Sequence, residues 1–408
     1  MRSSVVPALL RAVLFVPVVP AAILALSGCS RGRISSVARR DLFTLGIGPL
    51  EDQLNLSGVS GGGRRTSLAM RDGFFYVSDT AGEKIVHYTS YGELLFMIYN
   101  GETAPPPLTL PEDTGRAGML TRWSTAYPLR EPGALTVDSR KHIYAAGKVE
   151  DERRASDAED GALLDNVVVH FDDAGRFVNF LGQEGIGGKP FPRIMDIYAS
   201  ADDEIAVVCL LPSGWNVFWF NSEGTLLFLV HLRNDGIPRP PEAKVDYASM
   251  DMVAASPDER KLFFKVDYYR NILDGSGNAM AVPDSSVIWI MNVETGTYNE
   301  SMAVPFFEYT STEEGKKATQ KLPYAMLGVI RHSRVFLYFP VDGGYSLLVL
   351  TAGSREQRLG FIQVRNEELE YNTFNLSAEG ILSGLLATEW EARLVWWRTD
   401  RLLGEMSL

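Results

Sequence analysis

The stretch DGFFYVSDTAGEKIVHYTSYGELLFMIYNGE, residues 72–102, decides how the rest of the chain is read. A strand-like run leads through a short connection into a second run that ends in an aromatic, Tyr88. A turn containing Gly92 then opens a third run. The same order returns in RKHIYAAG at 140–147, continued by NVVVHFDDAGRFVNFLGQEG at 166–185, and again at 202–230. The cores Ile85-Val86-His87-Tyr88, Val168-Val169-His170-Phe171 and Phe218-Trp219-Phe220 align. Gly92, Gly175 and Gly224 each follow the aromatic by four residues. A turn that requires positive φ explains glycine at that recurring place.

Looser copies follow in ERKLFFKV with SVIWIMNVETGTYNESM, in SRVFLYFP with YSLLVLTAGSREQRLGFI, and in AEGILSGLLATEWEARLVWWRTD. That makes six units, roughly 50 to 70 residues apart, too widely spaced for the shorter-period helical solenoids. Runs of β-branched and aromatic residues joined by tight turns predict four-stranded antiparallel sheets. The expected fold is therefore all-β, a six-bladed β-propeller. A pair of β-sandwiches is the architectural alternative. LFTLGIG at 42–48 matches an outer strand but precedes the first full unit, and the last unit lacks a fourth strand. Leu42 to Gly46 are expected to complete the last blade and close the ring, which removes an unpaired edge.

The glycine-rich FLGQEGIGGKPFPRIMDIYA, residues 180–199, could cradle a phosphate or connect two sheets. A phosphate loop needs a helix N-terminus after the glycines. Here Pro190 and Pro192 lead into strand residues, so the stretch reads as a connector. Together with YVSDTAGEKIVHYTSYGELLFMI it resembles NHL repeats, a likeness clear in the first three units and loose in the last three.

The N-terminus reads as an export signal. Arg2 and Arg11 precede an apolar run, Ala12 to Leu26, too short for a comfortable membrane span. Leu26-Ser27-Gly28-Cys29 resembles the lipobox of bacterial lipoproteins. That resemblance implies cleavage before Cys29, its acylation (palmitate among the acyl chains), and a membrane-tethered protein of the cell envelope. The expected organisation is a signal peptide at 1–28, a tether at 29–41 and the propeller at 42–408. Ser30 and Arg31 provide no aspartate retention signal, which favours the outer membrane under the enterobacterial sorting rule.

The sequence carries 39 basic and 51 acidic residues; without residues 1–28 its formal charge is −14. That balance excludes nucleic acid as a partner and argues against a broad grip on anionic lipid. Cys209, in EIAVVCLL, is the only other cysteine and reads as a small buried apolar residue.

Long insertions at 101–131, 148–165, 232–246, 268–286 and 305–322 all emerge on one face of a propeller, and elaborated loops on a rigid scaffold are where binding concentrates. Trp123, Tyr127, Trp215, Tyr268, Tyr269 and Arg270 are the candidate residues of a protein-binding face. The run 150–160 reads as a solvated loop, and TAPPPLTLP at 103–111 as a polyproline-like arm. No HExxH or CxxC occurs, and the lone GxSxG at Gly58–Gly62 lacks the strand–turn–helix setting of a nucleophile elbow. His87 and His170 occupy equivalent repeat positions, which indicates a shared structural role.

The expected function is therefore a lipid-anchored scaffold that binds an envelope protein and has no catalytic activity or cofactor. The alternatives place the site in the central pocket. One is a calcium-dependent lactonase or related hydrolase, with Asp79, Asn166, Asp196 and Asp267 as oxygen-ligand candidates. The other is binding of a carbohydrate or other small ligand.

Overall fold

The computed structural model describes residues 35–56, 66–112, 121–240, 245–273, 277–313 and 316–403. Leu26–Cys29, expected as a lipobox, and Gly58–Gly62 lie outside these residues. Six sheets form the blades of a β-propeller, five of them built on four consecutive antiparallel strands and the sixth on strands from both ends of the chain. From the innermost strand outward, blade 1 is Ser67–Arg71, Phe74–Asp79, Lys84–Tyr88 and Leu94–Tyr99. Blade 2 is Leu135–Val137, Ile143–Lys148, Asn166–Phe171 and Phe177–Gly182. Blade 3 is Arg193–Ala199, Ile205–Leu211, Gly214–Phe220 and Leu226–Arg233. Blade 4 is Tyr247–Ala255, Lys261–Leu273, Ala279–Asn292 and Thr297–Ala303. Blade 5 is Ala325–Ile330, Arg334–Val341, Gly344–Thr351 and Gln357–Gln363. Blade 6 takes Tyr371–Leu376, Leu382–Ala387 and Glu391–Trp397 from one end of the chain and Arg39–Ile47 from the other.

Turn chemistry explains why the repeat folds this way. The residue after each aligned aromatic turns the chain by accepting backbone N–H bonds with its own side chain. Asp172 Oδ1 accepts from Ala174 and Arg176, Asn221 Oδ1 from Glu223 and Thr225, and Thr89 Oγ1 from Tyr91 and Glu93. Gly92, Gly175 and Gly224 then adopt φ of 82°, 73° and 81°. At Gly175 space also forbids a side chain, because a Cβ would stand 2.9 Å from the Phe96 ring of blade 1. One residue thus sets both a turn and the approach of two blades.

Between blades the core is apolar and closely packed. Trp219 of blade 3 shares one cluster with Phe264 and Tyr268 of blade 4, and Phe75 and Tyr88 of blade 1 share another with Leu394 of blade 6. Cys209 is buried in this packing, and burial raises its thiol pKa.

The expected closure is present. Phe43 pairs with Leu394 and Leu45 with Ala392, antiparallel. The closing segment is also fastened to blade 1. Lys84, 2% exposed, donates from Nζ to the carbonyls of Leu50 and Gln53, the latter at 2.7 Å. Buried Asp79, 3.8 Å from that ammonium, accepts the N–H of Asn55 at 2.7 Å and of Gly82 at 2.9 Å. Ser35–Val37 adds a short parallel strand outside blade 5.

The glycine stretch is a connector. Leu181 pairs with Ile186 in a tight outer hairpin, and the chain then enters blade 3 without a helix. Two insertions are more structured than their composition suggests. Residues 268–286 continue the middle strands of blade 4 as a long hairpin, because the strand-favouring alternation runs on through KLFFKVDYYRNIL. Pro283 is accommodated beside a bulge that skips Asp284. Residues 305–322 contain a second hairpin, Phe307–Glu313 with Lys316–Leu322.

Removing the Lys84 ammonium would leave the buried Asp79 carboxylate without its counter-ion and the Leu50 and Gln53 carbonyls without this donor. Lys84→Ala is expected to cost about 3–5 kcal/mol in urea unfolding. The double variant with Asp79→Ala should lose less than Lys84→Ala alone. Equal stability of Lys84→Ala and the parent chain would show that the clamp contributes nothing.

Candidate functional site

The innermost strands of all six blades surround a channel of about 610 Å³. Side chains of one blade bridge to the backbone of the next across it. Asn375 Oδ1 of blade 6 accepts the N–H of Met70 in blade 1, and Asp251 Oδ2 of blade 4 accepts the N–H of Met326 in blade 5, both at 3.1 Å. Tyr371 donates to the carbonyl of Thr66. The innermost strands of blades 3, 4 and 5 each skip one residue in their pairing, at Met195, Asp251 and Leu327. A bulge re-aims the side chain it carries. At Asp251 it presents a carboxylate to the channel that keeps 37% of its side-chain surface exposed.

Behind Asp251 lies a buried cation. Lys265, 1% exposed, places Nζ 3.6 Å from Asp251 Oδ2 and 2.6 Å from Asp267 Oδ2. Asp196, midway along the innermost strand of blade 3, lines the same channel and accepts from Tyr198 Oη at 3.0 Å. Burial first, and the Asp196 charge second, push the Tyr198 phenol well above its ordinary pKa. Arg71 and Glu379 also line the wall. With Asp251, Asp196 and Asp267 set against one ammonium, this sector is net negative. It suits ligands that donate hydrogen bonds, such as hydroxyls and amines.

The residues expected to form sites do not converge. Asp196 and Trp215 line the channel. Asp267 lies behind the wall, paired with Lys265, while Asp79 belongs to the closure clamp on blade 1. Asn166 donates to Asp165 and to the Pro192 carbonyl, joining blade 2 to the start of blade 3. Among the described residues, no group of three or more His, Cys, Asp or Glu side chains is arranged to hold a metal.

Most of the proposed face aromatics are engaged within the fold. Trp123 stacks on Phe96 and donates to Ala174, and Tyr127 stacks on Phe177. Tyr268 is fully buried, accepts from Trp289 and donates to Pro238. Tyr269 stacks on Tyr247 at 5.0 Å, and the exposed Arg270 pairs with Asp284 at 2.6 Å. Asp251 and Lys265 were missed by motif reading. A signal was available for Asp251, the one charged residue in the strand YASMDMVAA, and for Lys265, flanked by apolar residues two positions before Asp267.

No family model matches the chain, and no curated protein matches its sequence. Solved structures do. A streptogramin B lyase aligns at 12% identity over 88% of this chain and 98% of its own, with a TM-score of 0.36. A polysaccharide lyase of family PL25, an ulvan lyase, aligns at 12% over 89% and 84%, with a TM-score of 0.37. A putative 6-phosphogluconolactonase from Bacteroides fragilis aligns at 12% over 80% and 90%, with a TM-score of 0.31. The likeness is one of fold. It corrects one expectation from the sequence: with lyases and a lactonase among the similar structures, the chain can no longer be set down as lacking catalytic activity. At these identities and TM-scores the likeness does not establish catalysis either.

His87 and His170 share a setting as well as a repeat position. Each lies flat on a tyrosine, Tyr76 at 4.2 Å and Tyr144 at 4.3 Å between ring centroids. His142 Nδ1 also lies 2.9 Å from His170 Nε2. Burial lowers the His87 pKa to about 3; burial and then His142 lower that of His170 to about 4. Both values lie below the unfolded imidazole, near 6.5, so the unfolded chain takes up protons that the folded chain refuses. This contribution to stability is complete above about pH 6.5 and falls as pH drops through 4. The melting temperature should decline across that interval, and less steeply in His87→Phe and His170→Phe. Parallel profiles for parent and variants would overturn this assignment.

Proposed function

We propose that this chain is a lipid-anchored propeller of the cell envelope that takes a small polar ligand, of carbohydrate or amine character, in its axial channel. The observation that carries the ligand reading is the bulge at Asp251. It turns a carboxylate into the channel and backs it with the buried Lys265–Asp267 pair. Charged groups placed in a concave site are more often found where ligands bind than where a fold only needs filling. The NHL-like repeat supports a binding role by resemblance alone, since propellers host unrelated functions. The anchor reading rests on Leu26-Ser27-Gly28-Cys29, with the outer membrane the expected location.

A second reading, docking of an envelope protein partner, is favoured by the long blade 4 hairpin. Ile272, Leu273 and Met280 near its tip are 40%, 73% and 49% exposed, an apolar group on the elaborated face. The two readings separate in one variant, because partner capture through the hairpin should survive Asp251→Asn whereas channel binding should not.

The direct test is a thermal melt of the chain from Ser30 against neutral saccharides, amino sugars, amines and carboxylates, with calcium and EDTA as further arms. A channel ligand at a hundred times its Kd should add about 2.7 kcal/mol. Asp251→Asn should weaken its binding at least roughly tenfold, the loss expected for one charged hydrogen bond. Stabilisation only by carboxylates, or binding unchanged in the variant, would defeat the reading. For the anchor, Cys29→Ser should release the protein from the membrane fraction and abolish palmitate labelling. Retention of both would exclude lipidation at Cys29.

A further inference from the structure

A second cavity, of about 370 Å³, opens on the rim where the chain passes from the edge of blade 5 to the edge of blade 6. Residues 35–40 form one wall, and Trp396, Arg398, Arg401 and Leu402 form the other. Four arginines, Arg39, Arg40, Arg398 and Arg401, line it, and no acidic residue does. Two of them are neutralised from outside the cavity. Arg39 pairs with Asp41 at 2.6 Å, and Arg398 grips Asp400 through two bonds of 2.9 and 2.7 Å. The other two are exposed and have no carboxylate partner among the described residues. Arg40 lies over the Trp396 ring at 5.8 Å, and Arg401 follows Arg398 in the closing turn of the chain.

Unpaired like charges gathered around one concavity repel each other, so an occupant of opposite sign is favoured. Their concentration runs against a sequence whose formal charge is −12. Guanidinium forks match the oxygens of phosphate. We infer that this rim cavity binds a phosphate anion, and that the phosphate belongs to the headgroup of an anionic phospholipid.

The choice of a lipid source rests on the anchor reading and on position. Only five residues separate Cys29 from Ser35 at the cavity wall. A chain of that length spans on the order of 20 Å at most. An acyl chain at Cys29 would therefore keep the cavity close to headgroups. The half-buried Trp396 beside Arg40 is of the residue type that partitions to the membrane interface. The site complements an acyl anchor, which holds more firmly with a second, electrostatic contact.

All six blades come from residues 35–403, so the chain from Ser30 can be tested without the acylated cysteine, independently of whether lipidation occurs. Its flotation is measured with vesicles of phosphatidylcholine alone and of phosphatidylcholine with phosphatidylglycerol, and its melting with inorganic phosphate. Binding to the anionic vesicles should exceed binding to neutral ones on the order of tenfold and fall with added salt. Arg40→Gln with Arg401→Gln should abolish the preference. Arg233→Gln, the same charge change per residue on blade 3, should preserve it. Equal binding to both vesicles, or equal loss in Arg233→Gln, would overturn the site. Stabilisation by phosphate without vesicle binding would overturn the lipid source and assign the cavity to a soluble phosphate ester.

Discussion

The ring stands or falls on the pairing of Arg39–Ile47 with Glu391–Trp397. Each of the other blades is a meander whose four strands follow one another in sequence and can pair locally. Blade 6 cannot, since its outer strand comes from the opposite end of the chain. A propeller without that strand would leave Glu391–Trp397 as an open edge and strip apolar cover from Phe75 and Tyr88. The Lys84–Asp79 pair serves the same closure, fastening the segment that leaves blade 6 onto blade 1. A buried ion pair is a weak source of net stability. Here its effect is to hold two ends of a ring in register, with the backbone groups of Leu50, Gln53 and Asn55 as its partners.

Two features of the closed ring bear on function. The channel is a product of symmetry, and six blades leave one whatever the sequence. What distinguishes this one is a departure from symmetry, the acidic sector of blades 3 and 4 around Asp196, Asp251 and Lys265. The elaborated face departs from symmetry too, since the long hairpin of blade 4 and the separate hairpin beyond it crowd one part of the disc. Except for Asp196 on blade 3, both departures fall in the half of the chain where the repeat is irregular.

That coincidence explains what could be read beforehand. Blade number, strand order and closure were legible because they rest on turn chemistry and period-two alternation, which are written locally. Thr89, Asp172 and Asn221, with the glycines that follow three residues later, mark equivalent turns without knowledge of any contact. The channel was less legible. Asp196 was singled out as an oxygen-ligand candidate, but so were Asp79 and Asn166, which serve the joins between neighbouring segments instead. Asp251 faces the channel through a bulge, and a bulge is a mismatch between two strands that neither strand records alone. Trp123 and Tyr268 were misplaced for a related reason. Both lie on strands that extend a blade, Trp123 on one paired alongside Leu94–Tyr99 and Tyr268 within Lys261–Leu273, and their rings are taken up by neighbours inside the fold.

The closure strand also sets the order of events in folding. Phe43 and Leu394 are partners separated by nearly the whole chain, a contact of very high sequence separation. Ring closure of this kind costs conformational entropy before any contact offsets it, and high contact order slows folding. During synthesis, Arg39–Ile47 appears before any complete blade and must wait for the last blade to arrive. Through that interval its apolar residues are an unsatisfied strand edge, open to mispairing with another chain. The same joint that seals the finished ring is thus the point at which an unfinished one is most exposed.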